Sequence, residues 1–263
     1  MLKKLLKYDL KWTYKNLVVF YILAFIFAIL TRVFLSIENS TIFNIIGKIC
    51  SGISIGIFIN IIINCAIRCW VRFKKNIYGD ESYLTHTLPV ERKTIYKSKF
   101  LLAISSMFTS IIVILICLFI CYYSKETLEI VKNSLELISS TYDITVINII
   151  LFLAIMFFLE MITLVLIGYT GIIIGHRFNY GKTTKSVLFS ILLYFLVQTL
   201  TLLIIFIIGF INPDIMMLFT STEMISIDSI KMVMLMCAII YLCYIIIIEV
   251  VNRKLFCKGV NVD

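Results

Sequence analysis

The sequence predicts an all-α membrane protein: six transmembrane helices, an amphipathic N-terminal interfacial helix, and a short cytoplasmic helix between spans two and three. Three observations predict this fold class. Apolar residues make up 61% of the chain and charged residues 15%, with a mean hydropathy of +1.05. A water-soluble domain could not bury that much apolar surface. In addition, six apolar runs are long enough to cross a bilayer, and the cationic residues gather in alternate connections.

The six apolar runs each approach or exceed about 20 residues, the length a helix needs to cross roughly 30 Å of hydrocarbon. No stretch of soluble composition separates them, so we expect a single transmembrane domain over residues 1–263. The predicted spans cover residues 17–35, 49–67, 100–122, 144–167, 187–211 and 232–251.

Lysine and arginine are distributed unevenly between the connections. Of 24 such residues, 19 lie in the N-terminal segment, the second and fourth connections, and the C-terminal tail. Positively charged connections resist translocation, so we expect both termini in the cytoplasm. The net charge of +9 then reflects topology and contact with anionic lipid headgroups, and we expect no nucleic acid partner.

The N-terminal segment, residues 1–16, can form an amphipathic helix. One side carries mainly leucines and the other carries most of the five lysines. Such a helix would lie in the inner membrane interface, with Trp12 and Tyr14 at headgroup depth. The alternative is that these residues only anchor the first span through their positive charge.

The cysteines lie mostly within or at the ends of the predicted spans. The pairs Cys65–Cys69 and Cys117–Cys121 each place two thiols on one helix face, as a metal site can. Buried free cysteine usually packs as a small apolar residue, and the chain contains only two histidines. We therefore expect packing roles for the cysteines, and no metal site or cofactor in this chain.

The segment Gly175–Thr183 is similar to a phosphate-binding loop. Five residues separate its glycines where that motif has four, and it follows a membrane span rather than a strand. We interpret it as a short basic turn between spans four and five. We expect this chain not to be an enzyme that hydrolyses ATP.

The longest predicted cytoplasmic connection, residues 68–99, contains a candidate helix. Asp80 can cap a helix that carries Glu81 in its first turn, and Pro89 would stop it. Any six-span protein needs connections, but a compact helix with an acidic cap favours docking of another protein. The side chains that this helix would present are Tyr83, Leu84 and His86.

Within this connection, the stretches YGDESYL (residues 78–84), TLPVER (87–92) and SK (98–99) form a pattern. The pattern resembles permease subunits of the ABC-2 type transporter family, although Glu91 stands where the family has Ser. The resemblance implies a coupling helix that sits in a cleft of a separate ATP-hydrolysing subunit. It implies these ATPase-coupling residues: Tyr78, Gly79, Asp80, Glu81, Ser82, Tyr83, Leu84, Thr85 and His86.

The resemblance implies a permease subunit of an ATP-driven exporter in a bacterial cell membrane. Its partners would be ABC ATPase subunits, which hold ATP and Mg²⁺, and a second permease, identical or related. The outer connections are short, and one of them, Ser124–Asp143, has a charge spacing suited to a small surface helix. Without a folded outer domain, we expect an amphipathic, peptide- or lipid-like cargo reached through the bilayer.

Glu160 lies near the middle of the fourth predicted span, where a charge costs about 2.5 kcal/mol or more on insertion scales. It should face the bundle interior, pair with a polar group or be protonated. Glu160, Gln198, Asn60 and Asn64 are our candidates for a substrate path. An interhelical hydrogen bond is the alternative role of Glu160. The alternative function is a stand-alone ion- or proton-coupled carrier that uses Glu160.

Two groups of glycines are candidates for helix packing. Gly52 and Gly56 form a G-x-x-x-G pair in span two, which would let another helix backbone approach closely. Gly168, Gly171 and Gly175 indicate tight packing, or a break where span four leaves the membrane.

Overall fold

The computed structural model describes residues 1–37, 40–122, 146–212, 215–216 and 227–259. Within these ranges the regular structure is helical and contains no strand. The helix expected in Ser124–Asp143 lies outside the described residues. The helices are α1 (Leu2–Leu35), α2 (Thr41–Ile77), α3 (Ser82–Thr87), α4 (Arg92–Tyr122), α5 (Val146–Gly175), α6 (Lys182–Ile211) and α7 (Ile227–Cys257).

Six of these helices, all except α3, are long and apolar enough to cross a membrane. The prediction of an all-helical chain with six such helices is therefore confirmed, and it indicates a multi-pass membrane protein. Several helices extend beyond the predicted spans. For example, α2 continues past residue 67 to Ile77. The extension contains lysine and arginine, which are good helix formers, so the helix continues after the apolar run ends.

The first helix runs without a break from Leu2 to Leu35. The expected boundary between an interfacial helix, residues 1–16, and a first span from residue 17 is therefore not marked by a helix end. This segment contains no Gly or Pro that would interrupt it. Its buried face starts at Asp9 and Thr13 and continues to Leu17, whereas the leucines before Asp9 are only half-buried.

The short helix α3 forms within the predicted segment but begins at Ser82, with Glu81 at its N-cap. The cap expected from Asp80 is not observed, and no side chain caps the helix. The Glu81 carboxylate is instead held towards the end of α2, where Asn76 Nδ2 donates to Oε2 at 3.2 Å. After α3, Leu88 is extended (φ −63°, ψ 137°), as favoured for a residue before proline.

The chain divides into two compact units. Unit one comprises residues Met1–Phe73 and Pro89–Leu135, and unit two comprises Lys74–Leu88 and Glu136–Asp263. In unit one α1 packs against α4, and in unit two α5 packs against both α6 and α7. The segment Lys74–Leu88, which contains α3, thus groups with the last three spans, although it lies between spans two and three in the sequence.

The predicted packing glycines behave differently in the two units. A Cβ added at Gly171 would lie 2.6 Å from the carbonyl oxygen of Ser186, and one at Gly175 would lie 2.5 Å from the Ser186 amide nitrogen. These two glycines therefore allow α5 to approach α6 closely, and the neighbouring Gly168 is buried. In contrast, a Cβ at Gly52 or Gly56 would meet open space. Close packing at that pair is thus not found within the described chain.

Candidate functional site

The helix α3 presents two large side chains to the surroundings. Tyr83 is 77% exposed and Leu84 is 69% exposed. Their neighbours Ser82 and Thr85 are buried, and Thr85 Oγ1 donates to the Glu81 carbonyl at 3.0 Å. The helix is therefore fixed through its small residues, which leaves the aromatic ring and the leucine side by side and available to a partner.

The start of the α3 segment (Lys74–Leu88) is held by a ring stack. The Tyr78 ring lies 4.4 Å from the imidazole of His176, which follows α5, and both residues are buried. His176 is itself oriented by its Nδ1, which lies 2.8 Å from the Ile172 carbonyl oxygen. Burial raises the pKa of Tyr78 above its ordinary value, so the phenol stays neutral. Tyr78 is therefore an internal contact and is not part of an exposed docking face.

The end of α3 is held through His86. Its Nε2 lies 3.1 Å from the carbonyl oxygen of Ile77, and its ring centroid lies 6.5 Å from that of Phe256 at the end of α7. Phe256 is fully buried. His86 thus differs from the sequence prediction, which placed it on the presented face. The reason is that its ring reaches back to the end of α2.

Two further polar contacts connect helix ends in unit two. Lys74 Nζ donates to Thr183 Oγ1 at 2.7 Å, linking the end of α2 to the start of α6. Arg177 Nη2 donates to the Leu255 carbonyl at 3.2 Å, linking the turn after α5 to α7. Together with the two ring contacts, the Lys74 bond ties the α3 segment to the ends of α5, α6 and α7, whereas the Arg177 bond joins the turn after α5 to α7.

Farther along these spans, the structure brings together a polar cluster, which we define as Glu160, Tyr194, Gln198 and Tyr241. Tyr241 of α7 lies close to Gln198 of α6 and within electrostatic range of Glu160 of α5 and of Tyr194. All four residues are half-buried. The predicted candidates Glu160 and Gln198 therefore both lie in the neighbourhood of Tyr241. The sequence does not single out that tyrosine because nothing distinguishes it among 14 tyrosines.

Glu160 lies within long apolar stretches of unit two. In the described apolar stretches 146–175, 186–211 and 232–248, it is the only Asp, Glu, Lys or Arg. These stretches form most of α5, α6 and α7. A carboxylate placed there has hydrogen-bonding and aromatic neighbours, but these stretches offer it no side-chain cation.

The other two path candidates, Asn60 and Asn64, lie in α2 within unit one. Asn64 Nδ2 donates to the Asn60 carbonyl at 3.1 Å and also bonds the Asn60 side-chain oxygen. The two asparagines therefore hydrogen-bond to each other within one helix, and they belong to a different unit from Glu160 and Gln198.

The cysteine pairs are packed inside unit one. Cys65, Cys69, Cys117 and Cys121 are buried thiols, and the Cys69 thiol lies 3.4 Å from Ser106 Oγ. Among the residues that the structure describes, no group of three or more His, Cys, Asp or Glu side chains is placed to hold a metal ion.

Unit one also contains a buried ionic network that the sequence did not predict. Asp9 accepts hydrogen bonds from Arg72 Nε at 2.8 Å and from Ser98 Oγ at 3.0 Å, and it pairs with Lys99. The Arg72 guanidinium also lies 5.3 Å from the centre of the Trp12 ring, within cation–π range. The network joins α1, α2 and α4.

Comparisons of the chain with protein-family models, curated proteins and solved structures found no match. Functional roles are therefore inferred from the chain's own residues. Two features of unit two suggest function most directly: the exposed pair Tyr83 and Leu84, and the polar cluster around Glu160.

Proposed function

We propose that the chain is the membrane-spanning permease subunit of an ATP-driven transporter of the ABC-2 type, which exports an amphipathic, peptide- or lipid-like molecule. A separate ATPase subunit docks on α3 and holds ATP and Mg²⁺. The observation that carries the proposal is the exposure of Tyr83 and Leu84 on a helix whose other side is buried.

A single exposed apolar side chain is common on protein surfaces and needs no explanation. Here, two large neighbouring side chains are exposed while the small residues Ser82 and Thr85 of the same helix are buried. Aromatic anchors of this kind contribute much of the binding energy in protein interfaces. An ATPase cleft that receives Tyr83 and Leu84 would bury both.

The anchoring of α3 supports a mechanical role. The stack of Tyr78 on His176 and the contact of His86 with Phe256 connect this segment to the ends of α5 and α7. Glu160 lies along α5, about 24 Å from His176 at 1.5 Å per residue. Movement of a docked ATPase would therefore act on the helices that carry the polar cluster.

The proposed setting is a bacterial cell membrane, with both termini and α3 in the cytoplasm. The distribution of lysine and arginine supports this orientation. A second permease, identical or related, would complete the path together with this chain, and two ATPase subunits would serve the pair. Membrane lipids would contact the exposed apolar faces of the spans.

Copurification tests this proposal. The full chain is extracted from its native membrane in mild detergent, and bound proteins are identified by mass spectrometry. We expect an ABC ATPase to copurify with the wild-type chain. The double variant Tyr83→Ala/Leu84→Ala should no longer copurify with it. The matched control is Tyr180→Ala, which removes an 85% exposed aromatic ring from the turn between α5 and α6. The proposal would be contradicted if the double variant copurified with as much ATPase as the wild type does, or if no ATPase copurified with the wild type.

The alternative, a stand-alone carrier that uses Glu160, makes the opposite prediction. The purified chain would transport its substrate in proteoliposomes driven by an ion gradient alone. A permease of the proposed kind would be inactive there unless its ATPase subunit and ATP were added.

A further inference from the structure

We propose that a groove on the first half of α6 binds an anionic phospholipid, with its phosphate at Lys74 and Thr183 and an acyl chain along the groove. In the proposed orientation this lipid belongs to the inner leaflet. The groove lies within unit two and has a volume of about 490 Å³. It is lined by Thr183, Thr184, Val187, Leu188, Ile191 and Leu192. Such a lipid would be bound whether or not the chain is an ATP-driven permease.

The length of the groove fits one leaflet of a bilayer. Its lining residues recur at intervals of four in two neighbouring rows, so they share one face of α6. From Thr183 to Leu192 the helix rises about 14 Å at 1.5 Å per residue. That distance is close to half of the roughly 30 Å of hydrocarbon in a bilayer. An acyl chain of one leaflet therefore matches the groove from end to end.

The polarity of the groove has the same order as a phospholipid. Two threonines line the end at which α6 begins, and both are exposed. The four lining residues that follow, from Val187 to Leu192, are aliphatic and each more than half exposed. The fifth span is predicted to start at residue 187, which places the threonines at headgroup depth and the aliphatic residues in the hydrocarbon. A headgroup and an acyl chain would each meet side chains of matching polarity.

The polar end of the groove is positively charged. Lys74 Nζ donates to Thr183 Oγ1 at 2.7 Å, in a contact that is exposed to the surroundings. A hydroxyl is a neutral partner, so this hydrogen bond leaves the ammonium charge in place. The described residues 161–212, which include all of α6, contain no Asp or Glu. Their charged side chains are Arg177, Lys182 and Lys185. A phosphate group can accept hydrogen bonds from the Lys74 ammonium and the threonine hydroxyls, and it supplies the opposite charge.

The same charges argue against a second copy of the chain in this groove. In a two-fold dimer whose axis runs along the membrane normal, an interface residue lies at the same depth as its copy. Copies that met along the groove would bring the cations at its polar end towards each other. Like charges repel, whereas an anionic headgroup is attracted to juxtamembrane lysines. The charge of the site therefore favours a lipid.

A lipid bound there would connect two parts of unit two. Lys74 is the first residue of the α3 segment, and Thr183 lies in the first turn of α6. A phosphate that contacts both side chains would restrict the movement of the α3 segment relative to α6. A ligand that binds only the folded chain also stabilises it by mass action. We therefore expect the anionic lipid to raise the melting temperature of the chain.

Native mass spectrometry of the full chain tests the inference. The chain is purified in detergent, stripped of native lipid and titrated with phosphatidylglycerol or with phosphatidylcholine of the same acyl chains. We expect one phosphatidylglycerol per chain, bound at least about fivefold more tightly than phosphatidylcholine. Lys74→Gln should weaken phosphatidylglycerol binding by about fivefold, as expected for loss of one cation near an anionic headgroup. The matched control is Lys75→Gln, which removes the neighbouring cation, 4.0 Å from Glu81 Oε1, and should bind as the wild type does.

A second pair of variants tests the groove itself. Leu188→Trp places a bulky ring in the groove at a position that is 51% exposed, so the fold should tolerate it while lipid affinity falls at least fivefold. Leu196→Trp is the control because Leu196 is 53% exposed on the same helix beyond the groove. Free glycerol phosphate carries the headgroup charge without acyl chains. It should not displace phosphatidylglycerol, because the acyl chain contributes to binding.

Four results would overturn the inference: equal affinity for the two lipids, wild-type affinity in Lys74→Gln, equal losses in Lys74→Gln and Lys75→Gln, or displacement by glycerol phosphate. A wild-type dimer that Leu188→Trp converts to monomers would also overturn it, by assigning the groove to a second copy. If Lys74→Gln fails to fold, wild-type affinity in Leu188→Trp decides against the lipid. The assay contains no ATPase, so its outcome is independent of ATPase docking on α3.

Discussion

Asp9 and Lys99 form a buried ion pair although they are 90 residues apart in the chain. Lys99 Nζ lies 2.7 Å from one carboxylate oxygen of Asp9 and 2.8 Å from the other, and both residues are almost fully buried. Arg72 shares the same carboxylate. One acidic side chain therefore contacts two cations, so Asp9 links the ends of α1, α2 and α4.

Replacing Asp9 with Asn should destabilise unit one strongly. The substitution keeps the shape but removes the carboxylate charge beside buried Lys99 and Arg72, and breaking a buried ion pair costs about 3–5 kcal/mol. The free energy of unfolding in mixed detergent micelles, followed through tryptophan fluorescence, measures the effect. Asp80→Asn is the control because Asp80 is exposed. Equal stability of both variants would show that the network contributes nothing.

Replacement by alanine should affect protein stability differently at the two sets of glycines. Gly171→Ala places a Cβ against Ser186, and overpacking of this kind costs about 1–3 kcal/mol. Gly52→Ala meets open space, so it should be neutral or stabilise the helix by up to about 1 kcal/mol. Melting temperatures of the two variants in detergent compare them directly. A larger loss in Gly52→Ala would contradict the described packing.

The proposed orientation predicts labelling from opposite sides of the membrane. Single cysteines are introduced at Tyr83, which is 77% exposed, and at Glu129, in the connection between α4 and α5, in a chain without its native cysteines. In right-side-out vesicles, an impermeant maleimide should label the Glu129 position at once. The Tyr83 position should react only after permeabilisation. If both positions react from the outside, the six-span topology with cytoplasmic termini is wrong.

The spans could be predicted from sequence because an apolar run of about 20 residues has the length and composition of a helix that crosses the lipid bilayer. The short helix was also expected at residues 80–87 and is found at Ser82–Thr87. The N-cap residue of this helix could not be predicted, because Asp80 and Glu81 are both acidic. Only the folded structure shows that Glu81 is the N-cap and that its carboxylate bonds Asn76.

Side-chain partners far apart in sequence could not be predicted. Asp9 is one acidic residue among the N-terminal lysines, and nothing in the sequence indicates that it meets Lys99. Likewise, Glu160 and Gln198 stand out as polar residues in apolar spans, but Tyr241 does not, because tyrosine is common in membrane proteins. The observed positions of His86 and Tyr78 differ from the predicted ones for the same reason. Their partners, Ile77 and His176, are brought close to them only by the fold.

Photo-crosslinking from α3 most directly tests whether this helix is the contact with a separate ATPase. A photoreactive amino acid replaces Leu84 in one variant and Tyr180 in the other, and both positions are exposed on unit two. After irradiation of native membranes, mass spectrometry identifies the attached proteins. We predict an ABC ATPase crosslinked from position 84 and little or none from position 180. No ATPase at position 84, or equal yields at both positions, would contradict the proposed coupling.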